Sequence, residues 1–256
     1  MDLAISNKRA IVCASSQGLG LACATALANE GVEVWINGRN AERLAKARAS
    51  IASDKVHTVV ADITTAQGRA SLLAACPEPD ILINNNAGPP PGALEDWPPE
   101  VFQQGLEGNM LAPIEMIRLV VRGMQARHWG RIINITSAMV KSPRPHQALS
   151  TAARAGLTAF CKALSLEVAK DGVTINNLLP ERIATPRQTA LAERQAKLRG
   201  ISVAEATAEF AQSIAARRMG TPEEFAAACA FLCSVQAAFI CGQNLQLDGG
   251  AYPGLI

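Results

Sequence analysis

The sequence predicts an α/β fold: a single-domain, Rossmann-type doubly wound parallel sheet of about seven strands, flanked by helices. Three observations predict it. Short apolar runs alternate with helical patterns along the whole chain, and strands separated by helices pair in parallel. Small and polar residues gather just after those runs, at 14–20, 38–39, 62, 85–88, 137 and 180–185. Those are the C-terminal strand ends, where sheets of this kind bind ligands. Near the N-terminus the stretch 9–20, RAIVCASSQGLG, reads as strand, turn and helix.

The apolar run at 10–13 ends in Ala14, Ser15, Ser16 and Gln17. Gly18, Leu19 and Gly20 then open a helical pattern through Leu21, Ala24, Leu27 and Ala28. The first N–H groups of a helix lack intrahelical partners and carry partial positive charge. Glycines let a pyrophosphate approach that backbone, so the turn is a candidate anion cradle. Its spacing is A-x-x-x-G-x-G, not G-x-G-x-x-G, with Ala14 in the first glycine's place; an ordinary packed turn is the competing reading. Residues 33–37 (EVWIN) make the second strand, and 41–52, rich in Ala, Arg and Lys, a helix. The third strand, 56–60, ends at Ala61 and Asp62; Thr64 followed by Gln67 reads as a helix cap with a capping box. The fourth strand, 81–83, runs on into 84–88, and a proline-rich loop follows. A long helix over roughly 99–125 contains Asn109. Residues 131–136 form the fifth strand, ending at Ser137; 148–170 is another long helix and 173–179 the sixth strand. The polar, mostly helical stretch 186–218 alone has a shifted composition, and it reads as a mobile flap within one domain spanning 1–256. A helix at 223–234 and a seventh strand at 244–247 precede Asp248, Gly249 and Gly250.

Composition narrows the function classes. The 256 residues suit one domain with a large core. A net charge of +2 and 49% apolar residues argue against a nucleic-acid groove or a polybasic membrane contact. The seven cysteines form no CxxC pair and sit mostly in apolar runs, as core residues of a cytoplasmic protein would. Cys229 and Cys233 share a helix face, but no His or Cys partner stands near them in sequence, so no metal site is expected. The N-terminus has no apolar signal-peptide core, and polar residues break the uncharged stretch 225–247, so no membrane span is expected.

A carboxylate at the end of the second strand would bond the adenosine ribose and select NAD. Here Asn37, Gly38, Arg39 and Asn40 occupy that place, without an acid. A guanidinium matches a phosphate bidentately, so Arg39 is expected to hold the 2′-phosphate of NADP(H) in preference to NAD(H). The other reading of Arg39 is an exposed arginine at a helix start.

The whole chain resembles the short-chain dehydrogenase/reductase family. The resemblance is carried by the turn at 14–20, Asp62, Asn85-Asn86-Ala87-Gly88, Asn109, Asn134-Ile135-Thr136-Ser137, Pro180 with Thr185 and Pro186, and Asp248-Gly249-Gly250. Within the family it looks most like a divergent subgroup related to 3-oxoacyl-(acyl-carrier-protein) reductases. The resemblance implies cofactor contacts at Ala14, Ser15, Ser16, Gln17, Gly18, Leu19, Gly20, Arg39, Asp62, Ile63, Asn85, Asn86, Ala87, Gly88, Arg154, Pro180, Ile183 and Thr185. It also implies a homodimer or homotetramer, with helix 148–170 and the last strand as faces.

The family's catalytic set is Asn, Ser, Tyr and Lys, the last two four apart on one helix face. Asn109 and Ser137 fit. Thirteen residues after Ser137 stands Ser150 in place of the tyrosine, and four further on Arg154 in place of the lysine. The chain's one tyrosine is Tyr252 in the tail; Glu181 follows Pro180 where a glycine is usual, and an extra asparagine precedes Ala87. The tyrosine is the family's proton donor, and a serine hydroxyl titrates far too high to replace it. Losing a positioned general acid costs about 10²–10⁴ in rate. Arginine keeps the charge but is a poor proton carrier. His146 and Lys141 lie on the loop between Ser137 and Ser150, and His146 is the better candidate donor because imidazole titrates near neutrality. An exposed loop histidine is the alternative, as a plain helix-start residue is for Ser150. Glu181 is either a solvated loop charge or an obstruction to the nicotinamide. Two functions therefore stand side by side: an NADP(H)-dependent oxidoreductase of 3-oxoacyl-thioester type with a rewired proton donor, or a nucleotide-binding or regulatory homologue with impaired chemistry.

Overall fold

The computed structural model describes residues 1–255. Seven strands form one parallel sheet: β1 (Arg9–Val12), β2 (Glu33–Gly38), β3 (Val56–Val60), β4 (Ile81–Asn84), β5 (Gly130–Ile135), β6 (Val173–Pro180) and β7 (Asn244–Leu247). Their order is β3-β2-β1-β4-β5-β6-β7. The chain reverses direction across the sheet between β1 and β4, and such a switch point opens a crevice beyond the strand ends. The described residues form nine α-helices, six of which cover the two faces of the sheet: α1 (Gly18–Asn29), α2 (Ala41–Ser50), α3 (Ala66–Ala75), α4 (Pro99–Leu106), α5 (Ala112–Ala126), α6 (Ala148–Val168), α7 (Pro186–Arg199), α8 (Val203–Gln212) and α9 (Pro222–Cys233).

The inner strands are buried on both faces, so their sequences are apolar runs without alternation. Two cores result. One packs α1, α2 and α9 on one face through Leu27, Ile36, Leu44 and Phe225; the other packs α3, α5 and α6 on the opposite face through Leu72, Met116, Ile117 and Leu157.

Polar residues inside the sheet form a ladder. Asn84 Nδ2 donates to Asn134 Oδ1 (3.0 Å), Asn134 Nδ2 to Asn177 Oδ1 (2.9 Å), and Asn177 Nδ2 to Asn244 Oδ1 (2.8 Å). These residues are register partners across β4, β5, β6 and β7. Each amide nitrogen meets the next amide's oxygen, which offsets the loss of water inside the sheet, while Asn84 Oδ1 at the head of the ladder is buried without a partner.

Three local expectations change. The cap of α3 is Thr65, whose hydroxyl accepts from the Gly68 N–H (3.0 Å); Thr64 instead bonds Asp62, so the capping box at Thr64 and Gln67 is not formed. A side chain at Gly68 would place its Cβ 1.9 Å from the Asp62 carbonyl, which sets the tight entry into α3. The helix expected over 99–125 is two helices, α4 and α5, joined by a π turn at Glu107–Leu111. That wider turn rotates Asn109 relative to a continuous α-helix, and π turns often mark functional positions. Cys229 and Cys233 do gain a third thiol, Cys23, brought by α1 against α9. Among the described residues, no group of three or more His, Cys, Asp or Glu is arranged to hold a metal. No helix of the described residues is long and apolar enough to cross a membrane.

Candidate active site

The turn after β1 is built around two buried residues. The Ser15 hydroxyl donates to the Val12 carbonyl (2.6 Å) and accepts from the Asn37 N–H (2.9 Å). Asn37 in turn donates from Nδ2 to the carbonyls of Val59 and Ala61 (3.1 and 3.0 Å), tying β2 to the end of β3. Ala14 sits in the left-handed region, φ +44°, and its carbonyl accepts from Asn85 Nδ2 (3.0 Å). A Cβ on Gly20 would fall 2.6 Å from that same carbonyl, so only glycine lets α1 pack this closely on the turn. Gly18 has φ +60°, and Ser16 lies against Gly38.

The N-terminus of α1 is open. Gln17 at its cap makes no side-chain hydrogen bond, and no acidic residue stands in the first turn. Its amides and dipole therefore face outward unanswered, which suits a pyrophosphate. Thr185, at the start of α7, lies beside Gly18, and its hydroxyl caps nothing. Arg39 projects from the end of β2, 74% exposed, with Nη1 3.7 Å from Asp62 Oδ2. Burial pushes the Asp62 carboxyl up, but the N–H and hydroxyl of Thr64 and the Arg39 guanidinium outweigh it and hold the group below the usual carboxylate range. Ile63 is buried behind it and gives its carbonyl to Arg69. These residues fit a dinucleotide carrying an extra phosphate at the Arg39 end.

Farther along the cleft the loop after β4 is held by asparagines. Asn86 Nδ2 donates to the Gly108 carbonyl (2.9 Å) and its Oδ1 accepts from the Ala87 N–H (2.9 Å). Asn109 Nδ2 donates to the Ala87 carbonyl (3.2 Å), while Asn109 Oδ1 is buried without a hydrogen-bond partner. Ser137, at the end of β5, accepts from the Met139 N–H (3.2 Å) and starts a short 3₁₀ turn.

Ser150 and Arg154 face the same cleft from α6. Arg154 Nε donates to Ser150 Oγ (3.3 Å), Nη1 to the carbonyls of Ile135 and Thr136 (2.7 and 2.9 Å), and Nη2 weakly to that of Asn86 (3.4 Å). The guanidinium thus caps the end of β5. Burial, and next the neighbouring Arg187, push its pKa down to about 10. Ser150 is buried and serves as acceptor to Arg154, so it is part of this polar cluster rather than a plain helix-start residue.

His146 is exposed at φ +61°; its carbonyl accepts from the Gly92 N–H (2.9 Å), and its ring forms no hydrogen bond or ion pair among the described residues. Lys141 turns away toward the C-terminal segment, donating to Gln246 Oε1 (3.3 Å) and lying over the Tyr252 ring. Pro180 pairs with Leu247 at the end of β6, and Ile183 packs its side chain against Gly220. Glu181 is not a solvated charge: its side chain is 6% exposed, accepts from Arg144 Nη1 (3.0 Å), and has Arg182 Nε at 3.2 Å. Two further arginines, invisible to motif reading, reach in from α7. Arg187 Nη2 donates to the Pro89 carbonyl (3.1 Å) and Arg194 Nη1 to that of Pro91 (2.7 Å), tying the segment after β6 to the proline-rich loop.

Comparisons with known proteins bear on the family and the fold. A family model described as enoyl-(acyl carrier protein) reductase matches residues 13–252. The chain is 31% identical over 255 residues to the NADPH-dependent reductase BacG of Bacillus subtilis, covering 96% of this chain and 98% of that one. It is 33% identical over 252 residues to the 3-oxoacyl-(acyl-carrier-protein) reductase FabG of Vibrio cholerae, covering 97% and 98%. The crystal structure of L-sorbose reductase from Gluconobacter frateurii, complexed with NADPH and L-sorbose, superposes with a TM-score of 0.93 at 30% identity over the full length of both chains.

Proposed function

The chain belongs to the short-chain dehydrogenase/reductase family, and from that membership we propose that it is an NADP(H)-dependent oxidoreductase interconverting a carbonyl and an alcohol. The observation that carries the reading is the open, acid-free N-terminus of α1 beside an exposed Arg39 with no carboxylate at the end of β2. The relatives named above as NADPH-dependent or NADPH-bound support the same cofactor. Bound there, NADP(H) supplies or accepts the hydride. The amides of Gly18, Leu19 and Gly20, with Ser16, Gln17 and Thr185, hold the pyrophosphate. Arg39 holds the 2′-phosphate, and Asp62 with Ile63 borders the adenine end. Asn85, Asn86, Ala87, Gly88, Pro180 and Ile183 border the rest of the cofactor.

Asn109, Ser137, Ser150 and Arg154 surround the reacting carbonyl in this reading. Ser137 and Ser150 supply hydroxyls to orient its oxygen, and the Arg154 cation stabilises charge growing there. The proton comes from a group other than a tyrosine, and His146 is assigned that role because it lies on the loop leading into Ser150 and an imidazole can both give and take a proton. A 3-oxoacyl thioester is the first substrate class to assay. We place the protein in the cytoplasm and take 186–218 as a flap of a single domain. The face of α5 and α6 exposes Leu119, Phe160 and Leu166, which suits a homodimer or, with β7, a homotetramer; sedimentation showing a monomer at micromolar concentration removes that assignment.

A second reading rests on Arg154. Its Nη1 protons are both given to backbone carbonyls and its Nε to Ser150, so the pair is arranged as a structural clamp. A homologue that binds nucleotide without turnover fits that arrangement. One experiment separates the readings. The wild type and the Ser150→Tyr, Arg154→Lys double variant are assayed with NADPH and a 3-oxoacyl thioester. Wild-type turnover that falls at least tenfold in His146→Ala supports the enzyme reading. Turnover confined to the double variant supports the second.

A further inference from the structure

Glu181 follows the last residue of β6, and its side chain is 6% exposed. A carboxylate buried to that degree needs partners, and two guanidinium groups supply them. Arg144 Nη1 donates to Oε1 at 3.0 Å, from the loop between Ser137 and Ser150. Arg182 Nε lies 3.2 Å from the same oxygen but without hydrogen-bond geometry. The directed bond to this carboxylate therefore comes from Arg144. Pro145 follows Arg144 and disfavours any but an extended backbone there, and His146 comes next. A stiff stretch thus carries the pull of the ion pair to His146. His146 has φ +61° and Arg182 φ +51°. The left-handed region is uncommon for residues with a Cβ, and it persists where surrounding contacts impose it. Those contacts are the Gly92 N–H on the His146 carbonyl (2.9 Å), the Gly220 N–H on the Arg182 carbonyl (2.9 Å), and the ion pair between the two segments. The Arg182 guanidinium also lies 4.0 Å over the Phe210 ring of α8. One carboxylate therefore ties the loop before α6 to the end of β6 and, through Arg182, to α8.

We propose that Glu181 and Arg144 are positioning residues: their ion pair holds the loop that carries His146 in place and sets where its imidazole stands relative to Ser150. The inference rests on the reductase reading, in which His146 gives the proton, and deepens it. A group on a helix is placed by the helix itself, whereas a group on a loop is placed only as well as the loop is held. The His146 ring makes no hydrogen bond or ion pair of its own among the described residues, so its position depends on the backbone beneath it. Without the Glu181 carboxylate, Arg144 has no counter-charge, and the loop keeps only the Gly92 bond and the tie of Lys141 to Gln246. A reacting group misplaced by about 1 Å costs up to about 10²-fold in rate, so a tether of this kind is worth a buried charge.

The test uses the full-length chain as wild type, Arg144→Gln, Arg144→Lys, Glu181→Gln, His146→Gln and the Arg144→Gln, His146→Gln double variant. Hydrogen exchange read by mass spectrometry follows the Gly92 amide, whose acceptor is the His146 carbonyl; the prolines at 89–91 leave few other amides in that peptide. Arg144→Gln and Glu181→Gln are expected to speed this exchange about tenfold or more, and Arg144→Lys to restore most of the protection, with the amides of β5 unchanged. Unchanged Gly92 exchange in Arg144→Gln overturns the proposal, and so does an equal rise in β5, because the whole fold has then loosened. If Glu181→Gln does not fold, Arg144→Gln carries the test, since that side chain is 40% exposed. Turnover with NADPH and a 3-oxoacyl thioester reads the positioning. In Arg144→Gln kcat is expected to fall about tenfold or more, with the KM for NADPH unchanged. In the His146→Gln background the same change is expected to cost nothing further, because the pair acts through that ring. A full second loss in the double variant overturns the link to His146. A wild type that neither binds NADPH nor turns over sinks the reductase reading alone, since Gly92 exchange still reads the ion pair. Normal NADPH binding and turnover with Gly92 exchange unmoved by Arg144→Gln sink the positioning role alone.

Discussion

Ala14 carries a φ of +44°, a conformation that costs a residue with a Cβ about 1–2 kcal/mol. The turn imposes it, through the Ala14 carbonyl's bond to Asn85 and the close approach of Gly20. Ala14→Gly is accordingly expected to stabilise the chain by about 0.5–1 kcal/mol in urea unfolding, the relief of strain less the greater freedom of an unfolded glycine. A destabilised variant would mean that the Ala14 methyl contributes packing greater than its strain. The sequence marks this position, because alanine stands where the motif wants glycine; it does not show that the backbone keeps the glycine's conformation. Arg39 is similar. Its place after β2 is readable, and its geometry beside Asp62 leaves the guanidinium free to turn toward a phosphate. A charge-assisted pair with phosphate contributes about 1.5–3 kcal/mol. Arg39→Ala should therefore weaken NADPH roughly 10–100-fold in a fluorescence titration while NADH changes little. Equal loss for both coenzymes would falsify the assignment.

Between residues and fold, hydrogen-bonded side chains decide how elements meet. The asparagine ladder joins β4, β5, β6 and β7 through single amide contacts, all buried but the last. Removing a middle member strands its neighbours. Asn134→Leu takes the donor from Asn177 Oδ1 and an acceptor from Asn84 Nδ2, and Asn84 Oδ1 already lacks a partner. A loss of about 2–4 kcal/mol in denaturant unfolding is expected; a loss under 1 kcal/mol would show that the register is held by backbone bonds alone. The inner strands are legible because β1, β4 and β5 are compact apolar runs. The ladder was not, because its members lie dozens of residues apart and become neighbours only in register. The π turn at 107–111 was missed for a related reason: helix periodicity cannot register one extra residue. The cap of α3 falls one residue after the expected Thr64 because Thr64 and Thr65 are both competent caps, and the Asp62 carboxylate claims the first.

For the whole molecule, the buried thiols set the alkaline limit. Burial raises Cys13, Cys76 and Cys161 to about 12 from an ordinary value of 9. Folded, each stays protonated; unfolded, each releases its proton above pH 9. Their contribution is therefore complete below pH 9 and is lost as pH climbs toward 12, by up to a few kcal/mol for each thiol. Unfolding free energy measured from pH 8 to 11 should fall, and the triple Cys→Ala variant should fall less steeply. Asp62 acts at the other end: its lowered value stabilises the fold above the ordinary carboxylate range and is lost as pH drops through the folded value. A flat alkaline limb would mean that the core opens to solvent well before global unfolding.

Alternating apolar and helical patterns were enough for the sheet, its parallel sense and the edge where ligands bind, because those follow from periodicity and from how strands and helices must cover one another. The motif residues of the nucleotide turn, Arg39, Ser150 and Arg154 could be named for the same reason: each sits at a set distance from a strand end. What those side chains touch was decided by contacts between distant segments. Tertiary packing turned Arg154 onto the carbonyls of β5, drew Arg144 onto Glu181, and brought Arg187 to Gly88 from about a hundred residues away. Local spacing specifies where a residue lies along its element; only the packed fold specifies which charges share a cleft.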